Sequence, residues 1–181
     1  MPSSLSSFPF TPLLLVLLTA AAAVPSPPSP LVHDICNQTS SPSLCVEAFS
    51  ADPQTTTTTN NKTAMVGTAV RLVGNTSGST YIYISDLTNQ PPRPVGRAGQ
   101  KRLHICGMCY LSVSYDMLLL SSALSDKSYG ALASQAAEVA AQARRCDAAF
   151  SKSTWQPMGN RNKMLVVLCE AIRVLCRSIG H

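Results

Sequence analysis

Three stretches of this chain repeat apolar residues at alternating intervals of three and four, which leaves little choice of fold. Leu103, Cys106, Tyr110, Val113, Met117, Leu120 and Leu124 make the first series. Tyr129, Leu132, Ala136, Val139, Ala143, Cys146 and Phe150 make the second, and Leu165, Leu168, Ile172, Leu175 and Ile179 the third. At 3.6 residues per turn each series falls on one face of a helix, whereas a strand would scatter it over both faces. Three amphipathic helices are expected, each burying its stripe against the others.

A fourth segment, residues 62–87, is weaker. Val66, Val70, Val73, Ile84 and Leu87 fit one helical face, but Gly74-Asn75-Thr76-Ser77-Gly78 interrupts it. Glycine costs about 1 kcal/mol inside a helix, so a bend or break is expected there. Tyr81-Ile82-Tyr83-Ile84 has strand-like composition; beside three strong helices, helix is the better assignment. The breaks fall at residues 51–60 with their five-threonine run, at Asn89-Gln-Pro-Pro-Arg-Pro-Val-Gly96, at residues 125–128 and at residues 153–159. Short connections make neighbours antiparallel, and the expected architecture is all-α: an up-down-up-down four-helix bundle. Two short helical pieces around Ser40-Ser41-Pro42 add a small N-terminal hairpin.

The first 30 residues follow different rules. Leu13 to Val24 form a short apolar run ending in small residues, with Ala21 and Ala23 placed for cleavage. This reads as a secretory signal peptide over 1–23. Twelve apolar residues are too few to cross a hydrocarbon core that takes about 20. No other segment reads as apolar enough to span, so no stable membrane insertion is expected after cleavage. Residues 24–30 are rich in Pro and Ser and read as a non-helical linker, leaving 31–181 as the helical domain.

A secreted chain puts its cysteines in an oxidising compartment, where disulfides are the default. Seven follow the leader: Cys36, Cys45, Cys106, Cys109, Cys146, Cys169 and Cys176. Cys106 lies near the start of one predicted helix and Cys146 near the end of the next, ends that meet in an antiparallel pair. Cys36 and Cys45 lie one on each piece of the hairpin. Cys169 and Cys176 read as buried thiols packing as small hydrophobes. Sequons at Asn37, Asn61 and Asn75 offer N-glycosylation sites on a secreted protein.

Catalytic patterns are thin. The histidines are His33, His104 and His181, and no Gly-x-Ser-x-Gly elbow accompanies them. Asp116, Asp126, Glu138, Asp147 and Glu170 are scattered over the predicted helices and their connections and read as separate surface charges. Cys106-Gly-Met-Cys109 offers one alternative, a redox pair or half of a zinc site. A helical stripe runs through it, without the preceding strand or second ligand pair such sites use. No cofactor is expected. The 14 Lys and Arg against 9 Asp and Glu give a net charge of +5. Few aromatics alternate with those cations, which argues against nucleic acid. The basic residues Arg93, Arg97, Lys101 and Arg102 suggest weak contact with an acidic polysaccharide. Binding another protein through the bundle surface is the function left.

Taken together, Cys36…Ser41-Pro-Ser-Leu-Cys45 with Asp52-Pro53, then Leu103-His-Ile-Cys106-Gly-Met-Cys-Tyr110, then Tyr129 and Cys146-Asp-Ala-Ala-Phe150, resemble the plant invertase and pectin methylesterase inhibitor family over residues 31–179. The resemblance implies a four-helix bundle with an N-terminal α-hairpin and disulfides at Cys36–Cys45 and Cys106–Cys146. It implies no catalytic activity and a secreted, cell-wall (apoplastic) location. It also implies a one-to-one complex in which bundle helices cover an enzyme's active-site cleft. Pectin methylesterase is the expected partner and cell-wall or vacuolar invertase the alternative. The Pro-Lys-Phe motif frequent in invertase inhibitors is absent, and the nearest loop reads Ser153-Thr-Trp-Gln-Pro157-Met. Cys109 and Arg144-Arg145 depart from the family pattern. The bundle also occurs fused to pectin methylesterases; a chain ending at His181 is expected to act in trans. Its contact surface is expected on helices 99–125, 128–150 and 159–179, polar and basic in character.

Overall fold

In a computed structural model, residues 28–55, 61–92 and 95–179 are described, and they form six helices. The leader 1–23, most of the linker, Arg93 and His181 lie outside them. A hairpin of α1 (Pro30–Cys36) and α2 (Pro42–Ser50) precedes four long helices: α3 (Lys62–Asn89), α4 (Gly96–Ser125), α5 (Tyr129–Phe150) and α6 (Gly159–Ile179). α3 packs on α4, α4 on α5, α5 on α6, and α6 returns to α3, closing a four-membered ring. Both hairpin helices rest on α6.

The ring forms around the apolar stripes. Leu103, Cys106, Tyr110, Val113 and Leu120 of α4 are buried against Leu132, Ala136, Val139, Ala143 and Cys146 of α5. Leu165, Leu168, Ile172 and Leu175 bring α6 into the same core. Met117, Leu124, Tyr129 and Ile179, at the margins of the stripes, are partly buried. Cys36 is bonded to Cys45 with Cα atoms 5.4 Å apart, and Cys106 to Cys146 at 4.6 Å. The first bond staples the hairpin and the second the α4–α5 pair. On a chain-entropy account they stabilise by about 2.7 and about 3.9 kcal/mol.

Side-chain caps open two of the helices. Ser29 accepts a hydrogen bond from Val32 N at 3.3 Å, and Asn61 accepts one from Ala64 N at 3.1 Å. Pro30, expected in a linker, instead opens α1. A first-turn residue needs no N–H, and proline's fixed φ suits that position. The turn from α4 to α5 passes through Lys127 in the left-handed region, φ 53°.

The break expected at 74–78 does not occur, because α3 runs unbroken through it. Ser77 and Thr80 bond back to Gly74 and Thr76 carbonyls at 3.0 and 2.6 Å, and both are buried. Gly74 also lets Met117 approach closely: a Cβ there would stand 3.3 Å from Met117 Cε. Tertiary packing outweighs the propensity cost.

Candidate interaction surface

The polar interior of the bundle is small and closed. Tyr110 Oη donates to Asn162 Oδ1 at 2.6 Å, and Asn162 Nδ2 donates to Asp147 Oδ1 at 2.6 Å. The chain of bonds links α4, α6 and α5. Burial raises the Asp147 carboxyl above its ordinary range, opposed by the bond from Asn162. Asp147 is therefore part of a core network and not the separate surface charge expected of it. Glu170 accepts from Ser40 N at 2.8 Å and from Arg144 Nη2 at 3.2 Å, so it ties the hairpin turn to the bundle. Arg144, a departure from the family pattern, thus has a structural role.

The thiol chemistry left open by Cys106-x-x-Cys109 does not survive the pairing of Cys106 with Cys146. Cys109, Cys169 and Cys176 are free and buried. Burial pushes the Cys109 thiol up against the pull of Arg145, and pushes Cys176 to about 11. Neither is poised as a nucleophile at neutral pH. Among the described residues no three His, Cys, Asp or Glu side chains converge on a metal position. His33 and His104 are exposed and far apart in the chain, one on α1 and one on α4.

What stands out is the outside of α4. Its mean hydropathy and length suffice for a membrane span, contrary to the expectation that no segment after the leader is apolar enough to span. Two stripes on one helix are the cause. Besides the core stripe, His104, Met108, Leu111, Tyr115, Leu118 and Ser122, spaced 4-3-4-3-4, are all exposed. Tyr115 and Leu118 are 64% and 68% exposed, values that place large apolar side chains in solvent. Ile105 and Leu119 widen the patch, and Tyr81 and Ile82 extend it onto α3. Between α3 and α4, Tyr81, Ser85, His104, Met108 and Leu111 line a shallow groove of about 230 Å³. Contiguous apolar surface of this kind marks an interaction site more often than a free surface. The expected polar and basic face is thus wrong for α4: between Leu103 and Ser125 its one charged residue is Asp116. The signal was present as a second 3-4 repeat beneath the first.

The sequon residues Asn37, Asn61 and Asn75 are exposed, on the turn after α1, the cap of α3 and the body of α3. Of the basic cluster, Arg97 and Lys101 are exposed and Arg102 is half-buried beside Trp155.

A sequence profile of the plant invertase/pectin methylesterase inhibitor family matches residues 30–173. None of the curated proteins searched matches the chain. Among solved structures, that of a mutant form of a pectin methylesterase inhibitor from Arabidopsis resembles it with a TM-score of 0.68. Identity is 15%, and the match covers 79% of this chain and 93% of that one. At that identity the likeness speaks for the fold, which is the disulfide-stapled helical bundle with its hairpin. The profile, spanning most of the chain, gives the lineage: this protein belongs to the plant invertase/pectin methylesterase inhibitor family.

Proposed function

We propose that the protein inhibits pectin methylesterase by forming a one-to-one complex that covers the enzyme's active-site cleft. The observation that carries this reading is the exposed apolar stripe Met108–Leu111–Tyr115–Leu118 on α4. It lies on a helix braced by the Cys106–Cys146 bond, so little ordering cost remains to be met on binding. Faces of α5 and α6 would complete a contact of roughly 1,600 Å² in total. An apolar centre with a basic margin predicts affinity that resists moderate salt, with association rates that do not. The leader 1–23 would direct secretion to the cell wall, with glycans at Asn37, Asn61 and Asn75.

The test is direct. Purified protein is titrated separately into pectin methylesterase and acid invertase. Stoichiometric loss of the esterase activity alone supports the reading. Loss of invertase activity alone moves the target to the family's other branch, and loss of neither removes the inhibitor assignment.

A further inference from the structure

A second feature lies at the other end of α4, away from the apolar stripe. Pro92, Val95, the first turns of α4 and the loop before α6 line a cleft of about 470 Å³. That is within the ~300–1,000 Å³ typical of small-ligand sites. Its lining includes Trp155, Arg102, Thr154 and Ser153, whose Oγ also accepts from Trp155 N at 3.2 Å. Trp155 is fixed from behind, its ring meeting Phe150 edge-on at 5.6 Å between centroids. Gly99 forms the floor; a methyl group there would collide with Val95 and touch Trp155.

The charge in this region is unbalanced. Arg97, Lys101 and Arg102 form no ion pair within the described residues, whose two salt bridges lie elsewhere, at Arg71–Asp52 and Arg144–Glu170. A half-buried arginine with no ion pair among the described residues, lining one cleft with a tryptophan, a serine and a threonine, has a specific chemical complement. The ring stacks on the C–H face of a pyranose, the hydroxyls bond sugar oxygens, and the guanidinium takes a carboxylate in bidentate fashion. Arg97 and Lys101 continue the positive track along the helix for neighbouring units.

We infer that this cleft binds an acidic saccharide, a uronate unit of a de-esterified pectin chain. The preference for an acidic over a neutral sugar follows from the cleft alone; the choice of pectin as its source rests on the inhibitor reading above. A pectin methylesterase turns neutral methyl esters into carboxylates, so the ligand is the product of the proposed target. Such a site retains the inhibitor where the enzyme has already worked.

Trp155 is the single tryptophan of the chain, so its emission reports on this cleft alone. The full secreted protein is titrated at low salt with a de-esterified oligogalacturonide and, separately, with its fully methyl-esterified counterpart. Equilibrium dialysis runs in parallel. A saturable change in emission with the acid and none with the ester is expected. Arg102→Gln, checked for unchanged helical circular dichroism, should weaken binding at least tenfold. Thr154→Ala should weaken it by a smaller factor and serves if the first variant fails to fold. Equal response to acid and ester, no binding by either method, or binding indifferent to both substitutions each overturns the proposal. No enzyme is present in the titration, so its failure is separate from failure of the inhibition assay.

Discussion

Tyr110 and Asn162 meet at 2.6 Å in the middle of the bundle, the tyrosine donating its hydroxyl hydrogen to the asparagine's Oδ1. Both are fully buried, so neither can turn to water if the other is lost. Asn162→Ala strands the Tyr110 hydroxyl and the Asp147 carboxylate together. Each stranded group costs roughly 1–3 kcal/mol, and a loss of about 3 kcal/mol is expected. Tyr110→Phe strands a single group, the buried Asn162 Oδ1, and should cost about 1–2 kcal/mol, less than the asparagine change. Urea midpoints at unchanged m-value measure both; equal effects would contradict the network.

Thiol counting tests the pairing. Three free cysteines are expected in denaturant and close to none within minutes in the native state, because Cys109, Cys169 and Cys176 are buried. Replacing Cys106 and Cys146 together by alanine should destabilise by about 4 kcal/mol. Removing the Cys36–Cys45 bond should cost less, since it closes a shorter loop.

Three carboxylates set opposing pH trends. Asp116 is raised above the ordinary 3.8 by burial and then by the charge of Glu138 on α5, and its Oδ2 is buried without a hydrogen-bond partner among the described residues. Asp147 is raised by burial. The native state therefore holds these protons to higher pH than the unfolded chain. Their contribution is complete below the unfolded value and is lost as pH rises through the folded one. At Asp52 burial also pushes upward, but the hydrogen bonds from Arg71 and Thr55 and the charge of Arg71 outweigh it and lower the pKa. Its contribution is present above the unfolded value and is lost as pH falls through the folded one. Denaturant midpoints should thus decline as pH rises above about 4, the unfolded carboxylate value. Asp116→Asn should flatten that decline, and Asp52→Asn should instead blunt the loss on further acidification. A variant profile parallel to the parent's would refute the assignment.

On the exposed stripe, Leu111→Asp and Leu118→Asp should leave the urea midpoint nearly unchanged, since surface substitutions shift stability by about 0.5 kcal/mol or less. Each should weaken enzyme inhibition at least tenfold if the stripe lies at the centre of the complex. Unaltered inhibition by both would move the contact to another face.

Gly78 is exposed inside α3, and a Cβ added there meets nothing within 4 Å. Gly78→Ala should stabilise by about 0.5–1 kcal/mol, read by thermal melting.

The sequence was most legible where periodicity and burial coincide. The stripes through Leu103 to Leu124 and Tyr129 to Phe150 specified helices whose central residues are buried. Two features were harder to read. The continuity of α3 depends on contacts such as Gly74 with Met117, which are remote in sequence. The outer stripe of α4 shares its repeat with the core stripe, and a pattern alone does not say which of two apolar faces is turned inward. Asp147 was misread for a related reason: its partner is Asn162, a buried polar residue that no apolar template selects.

The helix made last is the one on which most of the others lean. α1, α2, α3 and α5 all pack against α6, so a nascent chain still lacking residues 159–179 can pair α3 with α4 and α4 with α5 but leaves the seams facing α6 uncovered. Closure of the ring is thereby postponed until that segment has been synthesised.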